Sequence, residues 1–463
     1  MILTLMHECL FRDKIITLYL EKQILIMKKT FLLLCAAALF PSALFATDPG
    51  KPAVQPLSTV IEGALRTAGQ QYLSMAEKYI PQEGRLPRSF AGGRDLSSDS
   101  RWWCSGFFPG TLWYLYENSG DGKVLDAARL FTGRVEREKH TTNNHDVGFM
   151  LFCSFGNGLR LTGEELYEEV LLTGARSLAT RFDPAVGLIR SWDHNRQRWQ
   201  YPVIIDNMMN LELMMWAADY AAAKGYQDAE TFRCIALSHA DSTMLNHFRP
   251  DYGTCHVVSY DPATGGVELR ETHQGYADHS TWSRGEAWAL YGYTMMYRVT
   301  GEERYLRQAQ NIAGFIIDHP RMPADYIPYW DFDAPGIPVA DPVADPVVAS
   351  ADAATPVPPR DASAAAIMAS ALIELADHSS PASPELAAEY MRVAETQVRT
   401  LASPEYTAPV GENGNFILMH STGAFPLGSE IDVPLTYADY YFVEALTRLN
   451  RVETRSASPR TAF

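Results

Sequence analysis

Apolar residues recur along most of the chain at intervals of three and four, the spacing that gathers them on one face of a helix. Twelve such stretches are expected as helices, near 57–79, 105–119, 123–138, 146–161, 163–182, 206–223, 226–245, 282–299, 303–318, 361–378, 383–402 and 436–451. Strand-like alternation is confined to short stretches near 185–203 and 253–270. The links between helices are more telling. Glu117-Asn118-Ser119-Gly120-Asp121-Gly122, Leu161-Thr162-Gly163-Glu164, Ala223-Lys224-Gly225 and Val299-Thr300-Gly301-Glu302 are short and carry glycine, as tight helix–helix turns require. The alternate links, 80–104, 183–205, 246–281, 319–360 and 403–435, are long, and only 139–145 among them is short.

Twelve helices joined by alternating tight and long links describe a closed ring of six hairpins. The expected fold is therefore all-α, an (α/α)6 barrel or six-hairpin toroid. Inner and outer helices alternate, and the long links share one face, where the even-numbered helices begin. An open solenoid is the alternative, but it calls for near-equal links and a recurring consensus, and the chain has neither.

Composition narrows the function. The chain has 463 residues, 47% of them hydrophobic, which suits a packed globule rather than a disordered one. Its formal charge of −16 disfavours nucleic-acid binding, because phosphates would be repelled. Residues 27–46, MKKTFLLLCAAALFPSALFA, have a basic start, an apolar run and a small-residue cleavage stretch. This reads as a secretory signal peptide, with Met27 as the true start and 1–26 as a mis-called extension. Removing residues 1–46 takes away five basic and three acidic residues, so −16 becomes −18. The expected product is an exported protein, soluble in the bacterial periplasm, with a single catalytic domain over 47–463. Its four cysteines, Cys104, Cys153, Cys234 and Cys255, show no framework spacing and are expected as isolated buried thiols. Residues 338–359 repeat Ala-Asp-Pro-Val and form a low-complexity insertion.

Chemistry concentrates where even-numbered helices begin. Helix two opens with Trp102-Trp103-Cys104, helix four with Asn143-Asn144-His145-Asp146, helix six with Ile204-Ile205-Asp206-Asn207, and helix eight with Trp282-Ser283-Arg284-Gly285-Glu286. Taken singly, an aspartate at a helix start is often only a cap, a tryptophan at helical spacing is often core, and Arg284 could simply pair with a nearby carboxylate. Taken jointly, the ring brings these starts to one cavity. Asp206, flanked by Ile204, Ile205, Met208 and Met209, is expected to hold a proton near neutrality, with Asp146 charged beside it. Trp103, Trp192, Trp282 and Trp288 offer flat faces for sugar rings, and Arg284 and Gln274 offer donors, the arginine fork suiting a carboxylate. There is no GxGxxG after a strand, no P-loop, no HExxH and no GxSxG. His273, Asp278 and His279 share a loop, but one such cluster does not make a metal site, and none is expected.

At these motifs the chain resembles the unsaturated glucuronyl hydrolases of glycoside hydrolase family 88. The residues carrying the likeness are WCSGF (103–107), NNHDVGF (143–149), IIDNMMN (204–210), HQGYADHSTWSRGEAW (273–288), PRDASAAAI (359–367) and DYYFVEAL (439–446). The resemblance implies an (α/α)6 barrel with Asp206 as general acid and base and Asp146 as a second required carboxylate. It implies a substrate pocket lined by Trp103, His145, Trp192, His256, Gln274, Trp282, Arg284 and Trp288. It further implies hydration of the C4=C5 double bond in the terminal uronate of lyase-generated, glycosaminoglycan-type oligosaccharides, with no metal or organic cofactor. The proline-rich insertion departs from the family pattern, and the Ser-x-x-Ser-x-Lys run of sulfate-reading members is not found near 420–435. Competing expectations are an unsaturated rhamnogalacturonyl hydrolase acting on pectin fragments, an inverting glycosidase acting on saturated sugars, and a non-catalytic periplasmic glycan-binding protein.

Overall fold

The computed structural model describes residues 55–338 and 356–457. The expectations for 1–26 and 27–46, and all but the ends of the 338–359 insertion, lie outside the described residues. Among the described residues twelve helical stretches follow one another: α1 (Leu57–Tyr79), α2 (Phe107–Ser119), α3 (Gly122–Gly133), α4, α5 (Glu165–Ala179), α6 (Leu211–Lys224), α7 (Ala229–Asn246), α8 (Ser283–Thr300), α9 (Glu303–Asp318), α10 (Ala362–Ser379), α11 (Pro384–Leu401) and α12 (Thr436–Ala457). Helix α4 runs in three pieces, Val147–Leu151, a wide π turn over Phe152–Gly156, and Asn157–Thr162. A 3-10 turn, Ile205–Asn210, leads into α6. The third helix was expected to reach 138 but stops at Gly133, and a separate 3-10 turn covers Glu136–His140.

Burial sorts the helices into two rings. Outer helix α9 buries a single stripe, Tyr305, Leu306, Gln308, Ala309, Ile312, Ala313 and Ile316, at intervals of mostly three and four. Inner helix α8 is buried at every position from Ser283 to Met296, as a helix surrounded by other helices must be. The even-numbered helices pack in order, α2 on α4, α4 on α6, α6 on α8, α8 on α10 and α10 on α12, and α12 returns to α2 to close the ring. Small residues permit this closeness. A side chain at Gly148 of α4 would run into Asn210 ahead of α6, and one at Gly292 of α8 would run into Met208.

The tight links end as their glycines dictate. Gly120, Gly163, Gly225 and Gly301 each terminate a helix in the left-handed region, with φ between 66° and 71°. The long links carry small sheets on the opposite face. β5 (Tyr201–Ile204), β6 (Val257–Tyr260) and β7 (Val267–Glu271) form one antiparallel sheet in the order β5-β6-β7. β3 (Phe182–Asp183) pairs with β4 (Leu188–Ile189). A hairpin of β1 (Leu86–Ala91) and β2 (Arg94–Ser98) occupies the first long link, where no strand was expected. Its turn is Gly92-Gly93, both at positive φ, a two-residue hairpin signal.

At the tight-link end the ring is tied by buried charge. Glu444 of α12 accepts hydrogen bonds from Tyr114 of α2 (2.7 Å), Tyr291 of α8 (3.0 Å) and Ser370 of α10 (2.7 Å). Arg448 joins Glu444 at 3.2 Å and also pairs with Glu374, while Arg298 pairs with Glu374 at 3.3 Å and with Glu212. These groups line a cavity of about 620 Å³. Among the described residues Cys104, Cys153 and Cys255 are free and buried, Cys234 is half-buried, and no helix is long and apolar enough to cross a membrane. Replacing Glu444 by Leu leaves Arg448 to pair with Glu374 alone and removes the carboxylate acceptor of Tyr114, Tyr291 and Ser370, and is expected to cost about 3–5 kcal/mol in urea unfolding. A loss below about 1 kcal/mol would mean that apolar packing alone holds these helices.

Candidate active site

The mouth at the long-link end is built from the first turn of each inner helix. Trp103 precedes α2, Asp146 begins α4, Asp206 lies in the turn before α6, Arg284 begins α8, Asp361 caps α10, and Tyr437 begins α12. Ring contacts join them. Trp103 lies 4.9 Å from Tyr437 and 5.5 Å from Phe149 between ring centres, and Phe149 lies 5.1 Å from Trp288. The sheet delivers His256 from its edge, where Ile205 N–H donates to the His256 carbonyl at 3.2 Å.

Neither aspartate is spent as a helix cap. Asp146 occupies the cap position of α4 but makes no capping hydrogen bond, and the turn holding Asp206 has no side-chain cap either. Asp361 shows the contrast, accepting from Ser363 N–H at 3.0 Å. The two uncapped carboxyls are near enough that the charge on Asp206 raises the proton affinity of Asp146. Burial pushes Asp206 up to about 7, against the opposing pull of Arg284. Burial, with the Asp206 charge added, pushes Asp146 up to about 8, against Arg181. This corrects the expected division of labour. The apolar flank of Asp206 does hold its proton toward neutrality, but Asp146 is desolvated too and is not kept charged. Two buried like charges cannot both ionise cheaply, so the pair shares a proton near pH 7.

The histidines at the mouth are neutral. His145 Nε2 stands 3.3 Å from Asp146 Oδ1, and burial together with Arg181 pushes His145 down to about 3, so the contact is polar rather than ionic. His256 has its tautomer set by the backbone. The N–H groups of His273 and Gln274 donate to its Nδ1 at 3.0 and 3.1 Å, which leaves the proton on Nε2. That Nε2–H faces Asp206 Oδ2 across 3.9 Å, and neither atom has a hydrogen-bond partner.

Four of the other expected site residues sit differently from the expectation. Trp282 and Trp288 are almost fully buried, at 3% and 0% exposure, so they support the pocket from behind rather than offering a face. Trp288 directs its ring N–H toward Asp206 and favours its charged form. Trp103 and Trp192 are the half-buried tryptophans with surface to offer. Trp192 stacks on His194 at 5.0 Å and bridges to Asn144, beside His145. Arg284 has no free fork. Its guanidinium pairs with Asp361 at 3.0 Å and donates to the carbonyls of Thr422 and Gly423. It acts as a fixed positive charge near Asp206 rather than as an open clamp. Gln274 likewise gives its amide to the Gly423 carbonyl at 3.3 Å.

Comparison with known proteins accords with this geometry. The chain is 41% identical over 389 residues to the unsaturated glucuronyl hydrolase of Formosa agariphila, covering 82% of this chain and 90% of that one. The chain belongs to the unsaturated glucuronyl hydrolases. A second relative, from Bacillus sp. strain GL1, is 30% identical over 79% of this chain and 91% of its own. A crystal structure of an unsaturated glucuronyl hydrolase specific for heparin superposes with a TM-score of 0.76 at 43% identity, covering 86% of this chain and 98% of that one. No family model matches the chain.

Sequence reasoning overlooked several residues of the enzyme's mouth. Tyr437 lies under Arg284, at 5.3 Å from its ring centre to the guanidinium carbon. Asn210 Oδ1 receives Phe149 N–H at 3.0 Å and so fixes α4 to α6. Glu430 pairs with Arg88 at 2.6 Å, fastening the loop before α12 to hairpin β1–β2. Asp361 was visible as an Asp-x-Ser cap signal, whereas Glu430 lies in an irregular loop with no periodicity to expose it. Among the described residues no group of three His, Cys, Asp or Glu side chains is arranged to hold a metal ion.

The carboxyl pair also makes a stability prediction. Each folded-state value, about 7 for Asp206 and about 8 for Asp146, lies above the unfolded value of about 3.9. The protonated forms are therefore favoured by folding at low pH, and that advantage is lost as pH rises from about 4 through about 8. Asp206→Asn removes the penalty on the alkaline side and relieves Asp146. Its thermal midpoint is expected to exceed that of the wild type at pH 8 and to match it at pH 4, as differential scanning calorimetry would show.

Proposed function

We propose that this unsaturated glucuronyl hydrolase hydrates the C4=C5 double bond of a terminal unsaturated uronate on lyase-generated oligosaccharides of glycosaminoglycan type. The observation carrying the proposal is the buried Asp146–Asp206 pair, holding a shared proton near neutrality at a mouth with two accessible tryptophans. The heparin specificity of a solved relative supports the glycosaminoglycan class.

The uronate ring lies between Trp103 and Trp192 with its vinyl ether over the pair. Asp206, protonated, delivers its proton to C4. Positive charge then develops at C5 and the ring oxygen, and the carboxylate just formed stabilises it. A water held between Asp206 Oδ2 and His256 Nε2 adds at C5 and returns a proton to Asp206, restoring the starting state. The product is a hemiketal. It opens, releasing the neighbouring sugar and a keto acid without the double bond. The charge on Asp206 raises the proton affinity of Asp146, and the pair gives up its proton to C4 and regains one when water adds. The leader-like stretch over 27–46 supports export and, with it, a periplasmic location beside the fragments.

The test follows the ultraviolet absorbance of the conjugated double bond. Purified enzyme is expected to abolish it with unsaturated heparin, chondroitin or hyaluronan disaccharides, while Asp206→Asn lowers kcat by about 10²–10⁴-fold with KM little changed. Retained activity in Asp206→Asn, or no loss of absorbance with any of these substrates, contradicts the proposal.

A further inference from the structure

Outer helix α7 carries a buried stripe that the chemistry above does not use. His239, Thr243 and His247 fall at intervals of four along it, the last at its C-cap, and all three are fully buried. Outer-ring helices normally turn apolar residues inward, as α9 does. Here polar residues are set among apolar ones such as Phe232, Ala236 and Ala240, and several of the polar atoms lack partners. His239 Nε2, Thr243 Oγ1 and both ring nitrogens of His247 make no hydrogen bond.

For His239 the missing partner is specified by chemistry. Ile189 N–H donates to its Nδ1 at 3.0 Å, so the neutral ring carries its proton on Nε2. That N–H is a donor with no acceptor. Burial lowers the proton affinity of His239 and His247 strongly, so neither ring relieves the problem by becoming charged and solvated. A buried donor left without an acceptor is destabilising. Three such residues in register are explained by small polar ligands lying along the stripe. At 1.5 Å per residue the stripe spans about 12 Å, too far for one ion but suited to a file of several waters.

Both ends of the stripe are bonded to the catalytic turn. At one end the Ile189 carbonyl receives Asn207 Nδ2 at 2.7 Å, and Asn207 adjoins Asp206. At the other end the His247 carbonyl receives Cys255 N–H at 2.7 Å, and the next residue, His256, receives Ile205 N–H at 3.2 Å. The Nε2–H of His256 and Oδ2 of Asp206, the two unpartnered atoms 3.9 Å apart, belong to the segments to which both ends of the stripe are bonded.

We propose that His239, Thr243 and His247 hold a file of internal waters behind the pocket floor, and that this file supplies the water consumed at C5. The idea rests on the hydration reading above. A uronate seated between Trp103 and Trp192 covers the mouth, while each turnover consumes one water. A supply from the protein side allows addition without the substrate leaving. The three residues position water and do not touch the sugar.

Two measurements test it. A crystal structure of the enzyme at a resolution that shows ordered water should contain waters bonded to His239 Nε2, Thr243 Oγ1 and His247. A dry stripe with rings packed against each other overturns the proposal. In kinetics on an unsaturated disaccharide, Thr243→Val keeps the volume and removes the hydroxyl. It is expected to lower kcat about tenfold with KM unchanged, and Thr243→Ser should restore it. A wild-type kcat in Thr243→Val, or a loss that Thr243→Ser does not recover, counts against the water file. The crystallographic result does not depend on turnover, so failure of this proposal and failure of the hydration reading remain distinguishable.

Discussion

Arg284 is a fully buried cation, and the shape of the mouth follows from how it is neutralised. A guanidinium removed from water is tolerated only where carboxylate and carbonyl oxygens surround it. Here they come from three places: Asp361 at the start of α10, and the Thr422 and Gly423 carbonyls in the loop before α12. Satisfying one side chain therefore ties α8, α10 and the last long link together. It also leaves a fixed positive charge that moderates the proton affinity of Asp206. Asp361 serves twice, because the oxygen not facing Arg284 caps its own helix and receives Thr422 N–H at 3.2 Å.

The two ends of the ring use charge in opposite ways. At the tight-link end, acids and bases are matched: Glu444 and Glu374 face Arg448 and Arg298, and the tyrosines around them are fully hydrogen-bonded. Such a network specifies how four inner helices meet. At the long-link end the carboxyls of Asp146, half-buried, and Asp206, buried, have no matching cation in contact, and Asp206 Oδ2 has no partner. A polar group left unsatisfied in the first place would be a flaw in the second place only if nothing were meant to bind there. The cost is borne where a proton must be held loosely and a water must be received.

Much of the architecture was legible because it is set by local rules. Amphipathic stripes gave the twelve helices, and glycines at positive φ ended four of them where the links were expected to be tight. The family likeness was carried mostly by residues at helix starts, which proved to share one mouth, while its last stretch, 439–446, runs down α12 to Glu444 at the other end. What was not legible has common physical causes. The β1–β2 hairpin rests on Gly92-Gly93 within a link too short in apolar residues to show strand periodicity. Trp282 and Trp288 were expected as faces and are instead packed behind the pocket, since the period of a helix says that a ring turns inward but not how far down the barrel it lies. Arg284 was expected to be open and is occupied, because its partners come from 77 and 139 residues further along the chain.

The chain by itself determined which segments are helical, where they stop, and which carboxylates begin the inner helices, since these depend on neighbours within a turn or two. Only the closed ring decided that Asp146 and Asp206 influence one another, that both are stripped of water, and that His256 is held as a donor toward Asp206. Desolvation and charge coupling depend on what surrounds a group in space, and residues sixty positions apart become neighbours only when α4 packs against α6 and the turn before it.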